Sequence, residues 1–174
     1  RNSTWRNLIL TIFSFIFYAW GEPVWIALLL LTALIDYGNG RFIEANRGKH
    51  IAKIGVICSL IFNISTLLTC KYSDFIITNI NRAFGSHFTA PGFALPIGIS
   101  FYTFQSISYV IDVYTGKVKG QKSLLKFLMF VSLYHQLVAG PIVRYVHIAN
   151  EIERRRFNIG DISAGVTRFL VGLF

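Results

Sequence analysis

The stretch ALPIGISFYTFQSISYVIDVY, residues 94–114, decides the fold. Its 21 residues carry one charge, Asp112, and no lysine or arginine. That is the length and polarity of a helix able to cross about 30 Å of hydrocarbon. Pro96 stands where the first turn of such a helix tolerates proline. Tyr102, Gln105, Tyr109 and Asp112 recur at i, i+3, i+7 and i+10, one stripe of one helix, and Ser100, Thr103 and Ser106 form a neighbouring stripe. Polar groups inside an apolar run are costly, so they mark either the wall of a hydrophilic tunnel or hydrogen-bonding positions that glue helices together. Asp112 lies next to a basic loop, and pairing with a loop lysine is its plain structural role.

The rest of the chain has the same character. Of 174 residues, 53% are hydrophobic, 16% aromatic and 14% charged. A soluble domain carries about 25% charged residues. Mean hydropathy is +0.53. Disorder, collagen-like repeats and an ordinary soluble fold are excluded. Seventeen basic residues oppose eight acidic ones, a net charge of +9. These charges lie between apolar runs, as in the cytoplasmic loops of membrane proteins, not on one water-soluble face as in a nucleic-acid binder.

Working outward, residues 7–20 and 24–37 are two apolar halves of 14 residues around a Gly21-Glu22-Pro23 break. Each would give roughly 21 Å of helix, short for a bilayer. The outer ends, with Arg1 and Arg6 on one side and Arg41, Arg47, Lys49 and Lys53 on the other, are basic. The expectation is a short hairpin with both ends cytoplasmic, in a locally thin membrane or inside a bundle. Residues 51–70 are long enough to span. Residues 73–88 place Ile76, Ile80 and Phe84 four apart and predict a separate amphipathic helix in the far interface.

After residues 94–114 comes the basic loop Gly116 to Lys122, and then residues 123–138, apolar but only 16 long, ending at Gly140-Pro141. A full crossing there would put Arg144 and Arg154-Arg155-Arg156 outside. The expectation is a re-entrant helix that returns to its starting side. Such backbone survives only when buried in protein or lining a wet cavity. Residues 142–156, with Arg144, His147, Glu151 and Arg155 on one face, predict an interfacial helix. Another span is expected from Thr167. Chain ends at Arg1 and Phe174, with no signal-peptide pattern, suggest an internal fragment of one polytopic domain. Cys58 and Cys70 would sit about 18 Å apart on one helix, too far for a disulfide.

Few residues suggest chemistry by themselves. His135, near Ser132 and Gln136, could act as a general base, but no nucleophile or orienting partner follows from spacing, and a hydrogen-bonded bundle histidine is the simpler reading. His50, His87 and His147 read as solvated or interfacial. No zinc-ligand spacing, dinucleotide fingerprint or P-loop occurs, so no metal or resident cofactor is expected. Arg154-Arg155-Arg156 reads as a cytoplasmic anchor that could also meet a lipid headgroup or a donor phosphate.

Two motifs go further. Residues 95–106, LPIGISFYTFQS, resemble the signature PxGISFYTFQ of the membrane-bound O-acyltransferase (MBOAT) family, in its bacterial alginate O-acetyltransferase branch. Residues 136–145, QLVAGPIVRY, resemble that branch's QLxAGPIVRY, and FYAWG at 17–21 and LIDY at 34–37 are similar too. The resemblance implies an all-α, polytopic bundle of membrane helices around a tunnel in a bacterial inner membrane. It implies acetyl transfer from a cytoplasmic thioester, acetyl-CoA or an acyl carrier, toward an extracytoplasmic polysaccharide hydroxyl through a partner acetyltransferase. By motif position it implies tunnel-lining roles for Ser100, Tyr102, Gln105, Gln136 and Arg144. The family's key histidine stands in a motif resembling WHxSLSxWxRDYLYIPLGG, which no histidine here matches and which would lie beyond Phe174. His135 occupies a place where the branch more often has proline. A transporter or channel fragment and a non-catalytic scaffold are the competing readings. The transporter predicts an inverted repeat, and the scaffold tolerates loss of the polar stripes.

Overall fold

The computed structural model describes residues 3–89, 92, 95–137, 142–153 and 158–173. Arg1, Ala94, the Gly140-Pro141 break and Arg154-Arg155-Arg156 lie outside them. The described residues form eight helices and no strand: α1 Ser3–Gly21, α2 Ile26–Ala45, α3 Ala52–Phe84, α4 Ile99–Tyr114, α5 Leu124–Ser132, α6 Tyr134–Leu137, α7 Tyr145–Glu153 and α8 Ile159–Leu173.

Polar side chains lie inside the bundle among its apolar core, and apolar ones cover much of its outside. Asn7, Thr11 and Ser14 of α1, Thr32 and Asp36 of α2, and Ser59 and Asn63 of α3 are buried. Ile54, Ile57, Ile61, Ile64 and Leu68 of α3 are exposed. The inward stripe of α3 is Ala52, Gly55, Ser59 and Asn63, small and polar residues that let helices approach closely, as membrane helices do. So wide an apolar surface marks a membrane-facing wall. Helices α2 and α3 are each long and apolar enough to cross a membrane.

The elements depart from expectation in four places. First, α1 and α2 have 19 and 20 residues, not 14, so about 29 Å each, and no thinned membrane is required. The added length lies chiefly in residues 3–6 of α1 and 38–45 of α2, where Gly40 and Ile43 are buried in the bundle. The two do not zip into a hairpin. Beyond the turn, α1 packs on α5, and α2 packs on α3 and α4. Second, α3 runs unbroken for 33 residues, about 50 Å, and absorbs the expected amphipathic helix. No glycine or proline separates the two parts, and the helix stops only at Gly85, with φ +63°.

Third, α4 has 16 residues, because Gly98, at φ +78°, places the helix start after Pro96 rather than before it. The preceding turn is held by the Tyr18 hydroxyl donating to the Ile97 carbonyl at 3.0 Å. Fourth, α8 begins at Ile159, eight residues before the expected Thr167, and none of its residues is buried.

One end of the bundle gathers the bases. Arg47 donates to the carbonyls of Val113 and Val118, and Glu44 accepts from the Gly120 amide. This joins the C-termini of α2 and α4. Asn7 donates to the Ile152 carbonyl, bringing the start of α1 to α7. From this end α5 rises for nine residues, about 14 Å, roughly half a hydrocarbon core, and breaks at Leu133. Leu137 then lies against Gly98, at the far end of α4. By Tyr145 the chain is back, its hydroxyl accepting from Gln121 at 2.7 Å, while Lys126 reaches Glu153 at 2.7 Å. The re-entrant path is therefore present: the segment leaves and returns at the same end.

Candidate functional site

The polar stripe of α4 and the re-entrant segment form one seam. Gly98 meets Leu137 so closely that a Cβ would strike the Leu137 carbonyl oxygen. One level further along α4, Gln105 Nε2 donates to the Phe130 carbonyl at 3.1 Å and to Gln136 Oε1 at 3.4 Å. The break at Leu133 leaves the last carbonyls of α5 without helical partners, and Gln105 supplies one. Next, Tyr109 stacks on Phe127 at 4.7 Å and edge-on to Tyr145 at 5.1 Å, and its hydroxyl accepts from the Gln121 amide at 2.9 Å. Last, Arg144 pairs with Asp112. The two sequence motifs are thus the two sides of one interface.

This settles where each expected residue stands. Tyr102 and Gln105 are buried, whereas Ser100, Gln136 and Arg144 keep partial exposure. Among the described residues the buried Tyr102 hydroxyl has no hydrogen-bond partner. Asp112 pairs with Arg144, 32 residues away, and not with a loop lysine. Its environment explains why: Asp112 is wholly buried, Arg144 brings its guanidinium from the returning segment, and the loop lysines stay at the surface. His135 is exposed and stands edge-on to the Tyr134 ring at 5.4 Å. A cavity of about 310 Å³ lies between α1, the α5–α6 break and α7, and His135, Gln136 and Glu151 supply its polar lining. Burial pushes the Tyr145 phenol above its ordinary range, so it stays protonated and can donate as well as accept.

Sequence reasoning missed a second polar centre. Asp36 accepts from the Ser59 hydroxyl at 2.5 Å and from Asn63 Nδ2 at 2.9 and 3.1 Å, and Ser106 of α4 faces the same carboxylate. The signal was legible: one acid in an apolar run, and Ser59 and Asn63 four apart in the next. It ties α2 and α3 together where Ser106 of α4 faces them, level with Gln105. No cluster of three or more metal-ligating side chains occurs among the described residues.

Comparison with known proteins follows the same line. The chain is 37% identical over 174 residues to a probable alginate O-acetylase AlgI of Pseudomonas syringae pv. tomato, covering 97% of this chain and 33% of that protein. It is 34% identical over 173 residues to a probable alginate O-acetylase AlgI of Pseudomonas aeruginosa, again 97% of this chain and 33% of that one. A peptidoglycan O-acetyltransferase of Helicobacter pylori is 28% identical over 201 residues, covering all of this chain and 38% of that protein. The chain thus spans about a third of the length of the curated relatives it matches. No family model matches. No solved structure matches either.

Proposed function

Since the chain belongs to the alginate O-acetylase-like branch of the membrane-bound O-acyltransferases, we propose that it forms the substrate-positioning part of a bacterial membrane O-acetyltransferase. One observation of the structure supports this above the others. The two branch motifs meet at a re-entrant element, Gln105 on Gln136 and Gly98 against Leu137, and Asp112, beyond the first motif on the same helix, pairs with Arg144 of the second.

In this reading the basic end faces the cytoplasm, the protein is multi-pass in the inner membrane, and the donor is an acetyl thioester. The acceptor hydroxyl oxygen attacks the thioester carbonyl, its proton passes to a histidine acting as general base, and the carbon–sulfur bond breaks to release the thiol. No histidine here matches the family motif, so this reading assigns the base to a histidine outside residues 1–174. The seam would hold donor and acceptor in register and keep bulk water from the thioester. The final acceptor is a polysaccharide hydroxyl of the alginate type, to which an extracytoplasmic acetyltransferase partner passes the acetyl group from the first acceptor hydroxyl.

The test is Gln105→Ala and Gln136→Ala in the full-length gene, with polymer O-acetyl content read by NMR against protein level in the membrane. Loss of a positioning contact predicts a fall of roughly tenfold or more. Unchanged acetylation at normal protein levels would sink the positioning role.

A further inference from the structure

At the basic end a cavity of about 790 Å³ opens between the α4–α5 loop and α7. Lys117, Lys119, Lys122 and Lys126 converge on it. Among the described residues the one acid in its lining, Glu153, is taken by Lys126 at 2.7 Å, and Glu44, behind Gly120, is taken by Arg47 at 2.8 Å. Ser123, the residue before α5, also lines the cavity, and α5 has no side-chain cap. Ser123 and Lys126 both line the cavity, so the uncapped N-terminus of α5, the positive end of its dipole, borders the same space as the lysines.

The loop is held in shape. Gln121, buried behind the lysines, bonds the Tyr145 hydroxyl at 2.7 Å, the Ser123 amide at 3.1 Å and, through its own amide, the Tyr109 hydroxyl at 2.9 Å. A positive-inside anchor needs neither a concave shape nor a fixed loop. Lysines as point charges together with an uncapped helix N-terminus are the donor set of a phosphate site. The volume is that of a small-molecule pocket, larger than one phosphate requires.

We propose that this cavity, formed by Lys117, Lys119, Lys122 and the N-terminus of α5, binds the phosphate group of a phosphate ester. The same chemistry is offered by a phosphorylated small molecule and by an anionic phospholipid headgroup. The site stands independently of acetyl transfer.

The test uses the full-length protein in zwitterionic detergent, with calorimetric titration of inorganic pyrophosphate and, separately, of short-chain phosphatidylglycerol. The expected result is binding of at least one probe, weakened about tenfold or more by K117Q/K119Q/K122Q and changed less than about twofold by K49Q/K53Q, which neutralises lysines elsewhere at the same end. Pyrophosphate binding assigns a soluble phosphate ester, and binding of phosphatidylglycerol alone assigns a headgroup. A second variant covers the case in which the triple variant misfolds. S123D places a carboxylate on the first-turn amides, so it should raise or keep the melting temperature while weakening binding. Absence of binding to either probe, equal weakening by K49Q/K53Q, or full binding by S123D would each overturn the proposal.

Discussion

Asp112 has no exposed surface and, among the described residues, one side-chain partner, Arg144, which keeps 41% of its side chain in contact with solvent. A buried carboxylate with a single guanidinium is costly to disturb, because removing the cation strands the anion. Arg144→Ala should destabilise the protein by about 3 kcal/mol, the low end of the range for a broken buried pair, since Arg144 is already partly hydrated. Adding Asp112→Asn should recover at least half of that loss, because a neutral amide tolerates burial better. Denaturant titration in detergent of the two single variants and the double would measure the coupling, and simple additivity would reject the pairing. Gln105 acts differently: its amide satisfies a carbonyl that the end of α5 leaves open, so it holds a helix end and not a charge.

Helix α5 is only nine residues long and could not persist alone in water. It persists because Phe127, Met129, Phe130 and Val131 are buried, with rings of α4 and α7 around them. Two glycines permit that packing. Gly40 of α2 faces Tyr109, where a Cβ would come within 2.6 Å of the ring. Gly98 adopts φ +78° against Leu137. Gly98→Ala combines a left-handed backbone, worth about 1–2 kcal/mol, with a collision against backbone, which cannot swing aside as a side chain can. It should cost more stability than Gly40→Ala, whose neighbour is a ring. Thermal melts of the two variants in the same detergent would rank them, and the reverse order would refute this account of the α4 start.

Across the whole molecule, the path from Gln121 to Tyr145 begins and ends at one face of the bundle, as the 2.7 Å contacts Gln121–Tyr145 and Lys126–Glu153 require. A full crossing would separate these residues by a membrane. In a Cys58→Ser, Cys70→Ser background, single cysteines at Lys122 and His147 should both react with a membrane-impermeant maleimide from the same side. A cysteine at Trp20, in the opposite turn, should react only from the other. Opposite-side labelling of Lys122 and His147 positions would exclude the re-entrant path.

The sequence by itself determined the medium and the parts. Its apolar runs, its scattered bases and a 16-residue run too short to cross were enough to read a membrane helix bundle with a re-entrant element. Hydropathy and charge placement are local quantities that do not depend on a partner. The two motifs also named the residues of the seam, Gln105, Gln136 and Arg144, although not that they touch. Only the tertiary structure decided the pairings. Asp112 found Arg144 and not a nearby lysine, and Asp36 found Ser59 and Asn63, because at bilayer depth a polar group takes whichever partner the packing brings within reach. The helix ends were likewise decided by packing. The apolar run stops at residue 37, yet α2 continues to Ala45, because Gly40 and Ile43 are buried inside the bundle.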